Sequence, residues 1–246
     1  MILPPSFGAA YVGEQFSCVL CANNERTTNA DTKSSIKDVN IAAELQTPST
    51  ASKGEEVEVE RKSDDSDTSK DETGGLEAGR SLQWIVRHDL KEEGMHVLAV
   101  TVSYTEVLDS EERSRSFRKL YQFSAQQALG VRTKVGELVN KAGQAKGKVF
   151  ALEAQVENMT EQSILLDGVK VSLGKGLKNT GLNGEDKVLL MPQDVEQVAF
   201  RLEQEDGAEL EENAGRYVLA QLTVDWRLAM GQDGVLKTGW LGCRKR

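Results

Sequence analysis

A strand-like segment that occurs twice constrains the fold of this chain most strongly. Residues 94–104 (GMHVLAVTVSY) are rich in β-branched and ring side chains, lack proline and begin at a glycine, which predicts a long β-strand. Residues 215–226 (GRYVLAQLTVDW) repeat the opening Gly-x-ring-Val-Leu-Ala and the closing Val-x-aromatic, with one residue inserted between them. A one-residue insertion within a strand indicates a β-bulge. The sequence therefore predicts one strand-rich unit present twice.

A second pair of segments supports the repeat. Residues 13–23 and 147–158 both open at a glycine and carry apolar side chains at alternate positions, as half-buried strands do. These positions are Phe16, Cys18, Leu20 and Ala22 in the first copy and Phe150, Leu152, Ala154 and Val156 in the second. Residues 36–41 correspond in the same way to 166–171, and the turn at 76–81 corresponds to 190–195.

The repeat predicts an all-β protein of two tandem immunoglobulin-like antiparallel β-sandwiches. Their expected bounds are residues 1–127 and 128–246, with a single large sandwich as the alternative. We expect a hairpin loop at residues 91–94, a charged loop at 106–114, and a linker at 126–147 that contains a short strand at 131–135.

The first unit contains an acidic insertion at about residues 48–75. Residues 47–75 include nine acidic and four basic side chains, and Val57 and Val59 are their only bulky apolar residues. This composition buries too little surface to offset the loss of chain entropy, so it predicts disorder. Ser63 and Ser66, each followed by aspartate, resemble acid-directed phosphorylation sites, although a solvated spacer is the alternative.

Composition excludes several classes of protein. The net charge of −9 argues against a nucleic-acid surface, which needs clustered Lys and Arg. No apolar run reaches membrane-spanning length, and residues 1–6 lack the pattern of a secretory signal, so direct membrane insertion is not expected. Three cysteines are too few for a disulfide framework. We therefore expect a reduced, cytoplasmic protein.

Three motifs imitate catalytic or metal-binding chemistry. Cys18 and Cys21 form a C-x-x-C match, but positions i and i+3 of a strand point to opposite faces and cannot share a metal. The two histidines are His88 and His96, and the sequence has no Ser or Cys in a nucleophile-type turn that either could activate. His96 aligns with Tyr217 in the repeat, which indicates a structural position occupied by a flat ring. Residues 143–149 (GQAKGKV) resemble a phosphate loop but lead into a strand. We predict no catalytic residue, no cofactor, no metal and no enzymatic activity.

One group of side chains is a candidate for contact with a partner. Phe117, Arg118, Lys119 and Tyr121 lie together on a predicted strand beside Arg113 and Arg115, and these last two extend the basic cluster. An aromatic and arginine patch of this kind anchors protein partners, and a solvated strand rim is the alternative. Asn158-Met159-Thr160 is a glycosylation sequon, which without a signal peptide we expect to be accidental.

Several short motifs resemble the subunit 13 family of the transport protein particle (TRAPP) complex, and they occur in order over nearly the whole chain. In the first half they are residues 3–8 (LPPSFG), 11–14 (YVGE), 43–47 (AELQT), 102–105 (VSYT) and 117–119 (FRK). In the second half they are residues 131–134 (VRTK), 152–160 (LEAQVENMT) and 222–226 (LTVDW).

This resemblance implies a non-catalytic accessory or scaffold subunit of a tethering complex in ER–Golgi and Golgi vesicle-mediated transport and in autophagy. The partners that it implies are the other TRAPP subunits and, indirectly, a Rab GTPase for which the whole complex is the nucleotide exchange factor. The implied location is the cytoplasm, peripheral to Golgi and ER–Golgi membranes through the complex. The alternative is a free-standing sandwich that binds carbohydrate, which needs an exposed row of aromatic side chains.

Overall fold

The computed structural model describes residues 10–26, 34–50, 54–61, 75–108, 111–139, 147–183, 186–229 and 231–245. Every regular element among these residues is a β-strand, which confirms the all-β prediction. The chain divides into two compact units: the first contains Ala10 and Gln15–Gln126, and the second contains Tyr11–Glu14 and the chain from Gln127 onward. The immunoglobulin-like topology and the boundary between residues 127 and 128 stay predictions.

The first unit contains a five-stranded and a three-stranded antiparallel sheet. Its strands are β1 (Ala10–Tyr11), of which only Ala10 belongs to this unit, β2 (Gln15–Asn23), β3 (Ser34–Gln46), β4 (Glu55–Val57), β5 (Val59–Arg61), β6 (Ser81–Asp89), β7 (Gly94–Leu108) and β8 (Glu111–Gln126). The sheet orders are β1-β8-β7-β3-β4 and β2-β6-β5. The two sheets pack face to face, since the ring of Phe16 on β2 stacks on that of Phe123 on β8 with centroids 4.7 Å apart.

The second unit is also built from two sheets. Its strands are β9 (Leu129–Leu138), β10 (Val149–Asn158), β11 (Ile164–Leu173), β12 (Leu177–Gly181), β13 (Val188–Leu190), β14 (Val195–Gln204), β15 (Glu212–Asn213), β16 (Arg216–Leu228), β17 (Asp233–Lys237) and β18 (Leu241–Arg244). One sheet has the order β12-β14-β10-β9, and the other has the order β13-β11-β16-β15 with β17 and β18 also paired to β16. Side chains from both sheets, including Phe150, Leu152, Leu219 and Leu222, form a fully buried core.

The predicted irregularity in the second copy of the repeat is present. The register of β16 against β18 shifts between Val218 and Ala220, whereas β7 pairs with β8 without a shift. The buried side of β16 changes at this point, because Leu219 and Ala220 are both fully buried. The insertion therefore lies just before the stretch in which the sequence comparison placed it.

The prediction of disorder is wrong for residues 54–61. This segment forms β4 and β5, in which Val57 pairs with Ala43 of β3 and Val59 pairs with Val86 of β6. Val57 is only 6% exposed. The two valines therefore anchor the segment to both sheets, although its charged neighbours outnumber them. Residues 51–53 and 62–74, including the possible phosphorylation sites, lie outside the described residues.

Three predicted connections are also corrected. Residues 91–94 do not close a hairpin but carry the chain from one sheet to the other, because β6 pairs with β2 and β5 whereas β7 pairs with β3 and β8. The expected loop at 106–114 is mostly strand, since β7 and β8 stay paired as far as Leu108 and Glu111. The expected linker contains a ten-residue strand, β9, rather than a short one.

Candidate functional site

The hairpin of β7 and β8 carries the surface predicted to contact a partner. Phe123 of β8 is buried, and alternate residues of a strand lie on the same face. Tyr121, Lys119 and Phe117 therefore point to the same, inward face of the sheet as Phe123. In the antiparallel register Phe117 lies opposite Val102 and Lys119 lies opposite Val100. The exposure of this face increases from Phe123 toward Glu111, and the side chain of Phe117 is 45% exposed.

A cavity of about 500 Å³ opens within the first unit at this exposed end of the inner face. Both sheets contribute to its walls. From the three-stranded sheet come β2 and the residues that follow it, and from the five-stranded sheet come side chains of three neighbouring strands, most of them apolar. The latter are Ile36, Val39 and Ile41 of β3, Val100, Val102 and Tyr104 of β7, and Phe117, Lys119 and Tyr121 of β8.

Charged side chains lie at the end of this cavity. Glu106 of β7 accepts hydrogen bonds from Arg26 and from Nε of Arg115, the latter at 3.2 Å. These two guanidinium groups, Arg26 first, hold the pKa of the Glu106 carboxyl below its ordinary value. The Nζ atom of Lys119 lies 5.9 Å from the centroid of the Phe117 ring, a cation–π distance. The site therefore joins an apolar groove to fixed positive charge.

The structure brings together three of the four predicted contact residues. Phe117, Lys119 and Tyr121 all line the cavity. Arg118 points to the opposite face of the sheet, where its guanidinium donates a 2.8 Å hydrogen bond to Glu44 of β3. Sequence reasoning grouped the four because they are close in the chain, although the period-2 alternation of the strand separates them. It also missed Val39 and Val102, whose role depends on strand pairing.

The residues of the motifs that imitate catalytic sites belong to the β-sheets of the fold. Cys18 is on the inner face of β2, and burial raises the pKa of its thiol to about 11. Cys21 is on the opposite face, as the spacing predicts. His88 lies opposite Phe16 in the sheet, and burial lowers the pKa of its imidazole. No group of three or more His, Cys, Asp and Glu side chains in the described ranges could hold a metal ion.

The phosphate-loop match falls largely outside the described residues, which resume at Gly147, and its last residue begins β10. The sequon at Asn158 is a buried turn. The side-chain amide of Asn158 is 0% exposed and donates to the carbonyl oxygens of Gln162 and Leu190, at 2.7 Å and 3.1 Å. Its carbonyl oxygen accepts from both the backbone N–H and the hydroxyl of Thr160, each at 2.9 Å. The Asn-x-Thr sequence therefore stabilises this turn through the hydrogen bonds of Asn158.

A second cavity, of about 450 Å³, lies in the second unit beside Trp240. The indole of Trp240 is 54% exposed, whereas Tyr217, which also lines the cavity, is 5% exposed. Trp84 and Trp226 are buried. Trp240 is therefore the one exposed aromatic side chain among the described residues of this unit. Across the described part of the chain, no helix is long and apolar enough to cross a membrane.

Solved structures that resemble this chain do so at low similarity. Red sea bream transglutaminase has 11% identity and a TM-score of 0.29, covering 95% of this chain and 30% of that one. The YadV chaperone has 13% identity and a TM-score of 0.20, covering 89% and 98%.

Sequence relatives are more informative. Trafficking protein particle complex subunit 13 of Pongo abelii is 27% identical over 256 residues, which cover 98% of this chain and 56% of that protein. The probable subunit 13 homolog of Caenorhabditis briggsae is 28% identical over 246 residues, covering 98% and 55%. The chain thus spans about half the length of the curated relatives that it matches.

Two family models cover almost the entire chain in succession. The N-terminal domain of trafficking protein particle complex subunit 13 matches residues 1–125, and the middle domain of the same family matches residues 129–245. The motifs quoted from the sequence lie within these two matches. The chain therefore belongs to the trafficking protein particle complex subunit 13 family.

Proposed function

We propose that this chain is part of a non-catalytic accessory or scaffold subunit of the TRAPP tethering complex. Its role is to contact other TRAPP subunits in ER–Golgi and Golgi vesicle transport and in autophagy. Nucleotide exchange on a Rab GTPase belongs to the assembled complex, and this chain takes part in it only indirectly. The protein is cytoplasmic and reaches Golgi and ER–Golgi membranes through the complex.

One observation carries the proposal: the N-terminal and middle domain models of the family match consecutively, over residues 1–125 and 129–245. Relatives named as subunit 13 of the complex match 98% of the chain. The geometry supports a surface for protein contact, because an exposed aromatic ring beside an apolar groove and fixed cations is the composition of an interface anchor.

We place the contact surface on the inner face of the β7–β8 hairpin. Phe117 offers a large apolar side chain that is 45% exposed, with the Lys119 ammonium beside its ring. Leu120 is 61% exposed on the other face of the same strand. These two residues are three positions apart on β8 and face opposite ways, so they form a matched pair for testing which face binds.

Affinity purification of the tagged full-length protein from its native cells, followed by mass spectrometry, tests the proposal. We expect other TRAPP subunits to be recovered with the wild type, and about tenfold less of the contacting subunit with Phe117→Asp. Leu120→Asp should recover the wild-type amount. Recovery of the wild type without other TRAPP subunits would overturn the assignment, whereas loss caused by Leu120→Asp alone would move the contact to the outer face.

The alternative of a free-standing carbohydrate-binding module depends on the cavity beside Trp240. A sugar platform normally presents several aromatic faces, and this cavity offers one exposed indole. Arg216, a further lining residue, uses its guanidinium to donate a 2.9 Å hydrogen bond to the carbonyl of Gly242. The proposal of a complex subunit is therefore preferred.

A further inference from the structure

The segment Tyr11–Glu14 of the second unit packs on β17. The backbone carbonyl of Gly13 accepts a 3.1 Å hydrogen bond from the N–H of Val235, and Glu14 forms an antiparallel bridge with Gly234. Gly13 has a φ of 97°, and a Cβ atom there would lie 2.6 Å from the carbonyl oxygen of Val235. The segment therefore approaches the backbone of β17 so closely that a side chain at position 13 does not fit.

The carboxyl group of Glu14 is buried in this contact. Glu14 is 9% exposed, and its Oε2 atom accepts the backbone N–H of Tyr11 at 3.1 Å. Its Oε1 atom is buried and has no hydrogen-bond partner. Among the described residues, the carboxyl group therefore has one neutral donor and no cationic one. The charged side chains that act on the two residues are acidic: Asp233 of β17 on Glu14, and Glu161, which follows β10, on Tyr11.

The indole of Trp226 lies beside the same carboxyl group. Trp226 pairs with Gly234 across β16 and β17, and Gly234 pairs in turn with Glu14. Residues directly opposite each other in neighbouring strands point to the same face, so Glu14 and Trp226 flank a position that has no side chain. Ring carbon Cε2, which is bonded to Nε1, lies 2.5 Å from where a Cβ of Gly234 would be. The Nε1 atom is also buried without a hydrogen-bond partner.

An ionised carboxyl group in this position is unfavourable, because burial removes its hydration and no counter-charge replaces it. Burial, the largest effect, and the charge of Asp233 raise the pKa of Glu14 above its ordinary value, although the hydrogen bond from the Tyr11 N–H lowers it. Arg227 of β16 lies opposite Asp233 but directs its guanidinium to Asp167. When the segment leaves β17, water reaches Glu14 and its pKa returns to the ordinary value.

We propose that Glu14 is a proton-sensitive lock, which holds Tyr11–Glu14 on β17 more tightly when its carboxyl group is neutral. The attached state has the higher pKa, so attachment strengthens as the pH falls from 7 toward the ordinary pKa of 4.5. The lock concerns the second unit alone and does not depend on the proposed function.

Amide hydrogen exchange of the purified full chain, followed by mass spectrometry, tests the lock. Protection factors are compared at pH 7 and pH 4.5, each against the intrinsic exchange rate at that pH. We expect protection of residues 11–14 and 233–237 to rise by about threefold or more at the lower pH. Glu14→Gln keeps nearly the same shape without the charge, so it should show the higher protection at both pH values.

Two further variants separate the lock from general effects of acid. Glu161→Gln removes an exposed acid beside Tyr11 and should keep the wild-type rise. Gly13→Ala places a Cβ against the carbonyl of Val235 and should leave residues 11–14 weakly protected at both pH values.

Two results would overturn the lock. One is protection of residues 11–14 that falls between pH 7 and pH 4.5, which would show that the ionised carboxylate holds the segment, as it would by accepting the indole N–H of Trp226. The other is a rise in Glu14→Gln as large as that of the wild type, which would assign the proton to a different group.

Discussion

Asn24 and Asn158 perform the same structural task in the two units. Each lies at the end of the equivalent strand, is at most 6% exposed, and donates its side-chain N–H to the carbonyl of a leucine that is distant in the chain. Asn24 donates to Leu76 at 2.8 Å, and Asn158 donates to Leu190 at 3.1 Å. The backbone repeats the arrangement, since the carbonyl of Asn24 accepts from Gly79 and that of Asn158 accepts from Gln193.

Replacing Asn158 should destabilise the second unit strongly. Asn158→Ala removes four hydrogen bonds and leaves buried backbone carbonyls unsatisfied, so we expect a loss of roughly 2–4 kcal/mol in the free energy of unfolding. The matched control is Asn183→Ala, whose exposed amide also makes two hydrogen bonds to Ala199. Urea unfolding should show less than about 1 kcal/mol for the control, and similar losses for both would contradict the role of burial.

A bidentate ion pair makes the stability of the second unit depend on acid pH. Arg227 donates from Nε and a terminal nitrogen to the two oxygens of Asp167, each at 2.6 Å, and Lys187 donates at 2.7 Å. These hydrogen bonds, those of Arg227 first, hold the pKa of Asp167 far below its ordinary value. The stabilisation is therefore complete above the ordinary pKa of 3.8 and is lost as the pH falls below it.

We expect Asp167→Asn to be less stable than the wild type at pH 7, with the difference narrowing below about pH 4. Thermal melts at several pH values measure this. Asp225→Asn is the control, because Asp225 makes a single hydrogen bond to Lys170, whose side chain is 75% exposed. A difference for Asp167→Asn that stays constant down to pH 2 would contradict the ion-pair explanation.

A ring at position 96 matters for packing. His96 is 1% exposed, and its imidazole stacks on Phe123 with centroids 5.3 Å apart, while Nδ1 donates to the carbonyl of Gly94 at 3.0 Å. We expect His96→Ala to cost roughly 2–4 kcal/mol and His96→Phe, which keeps the stack but loses the hydrogen bond, about 1 kcal/mol. Met95→Ala, next to it on the exposed face, should change the urea midpoint little. Equal losses for His96→Ala and His96→Phe would show that the hydrogen bond dominates.

A glycine allows β17 to approach a buried indole. A Cβ atom built on Gly234 would lie 2.3 Å from a ring carbon of Trp226. Because Trp226 is 1% exposed and its ring cannot move away freely, we expect Gly234→Ala to destabilise by roughly 1–3 kcal/mol. Gly136→Ala is the control, since a Cβ there meets nothing within 4 Å. Equal denaturation midpoints for the two variants would contradict the clash.

Much of the fold could be predicted from alternation and repetition. Phe16, Leu20, Phe150 and Leu152 are buried because period-2 patterns report which side of a strand faces a core, and this property is local. Strand partners are not local. The sequence does not specify that residues 91–94 connect two sheets, because that depends on pairing between segments far apart in the chain.

The candidate site was only partly predictable for the same reason. Phe117 and Lys119 were identified from composition, but the groove in front of them exists because Val39 and Val102 come from other strands. Composition also misled at the insertion, because an average over residues 47–75 conceals a short segment in which two valines reach two different sheets.

The segment of residues 54–61 is expected to contribute to the stability of the fold. Deleting residues 49–73 should lower the melting temperature, although composition alone predicts no change, because the deletion removes β4 and β5. The point variant Val57→Ala removes two buried methyl groups, and we expect it to cost about 1.5 kcal/mol in the free energy of unfolding. Glu56→Ala, on the exposed face of the same strand, should cost less than about 0.5 kcal/mol. Equal midpoints for Val57→Ala, Glu56→Ala and the wild type in urea would restore the view that residues 54–61 contribute nothing to the fold.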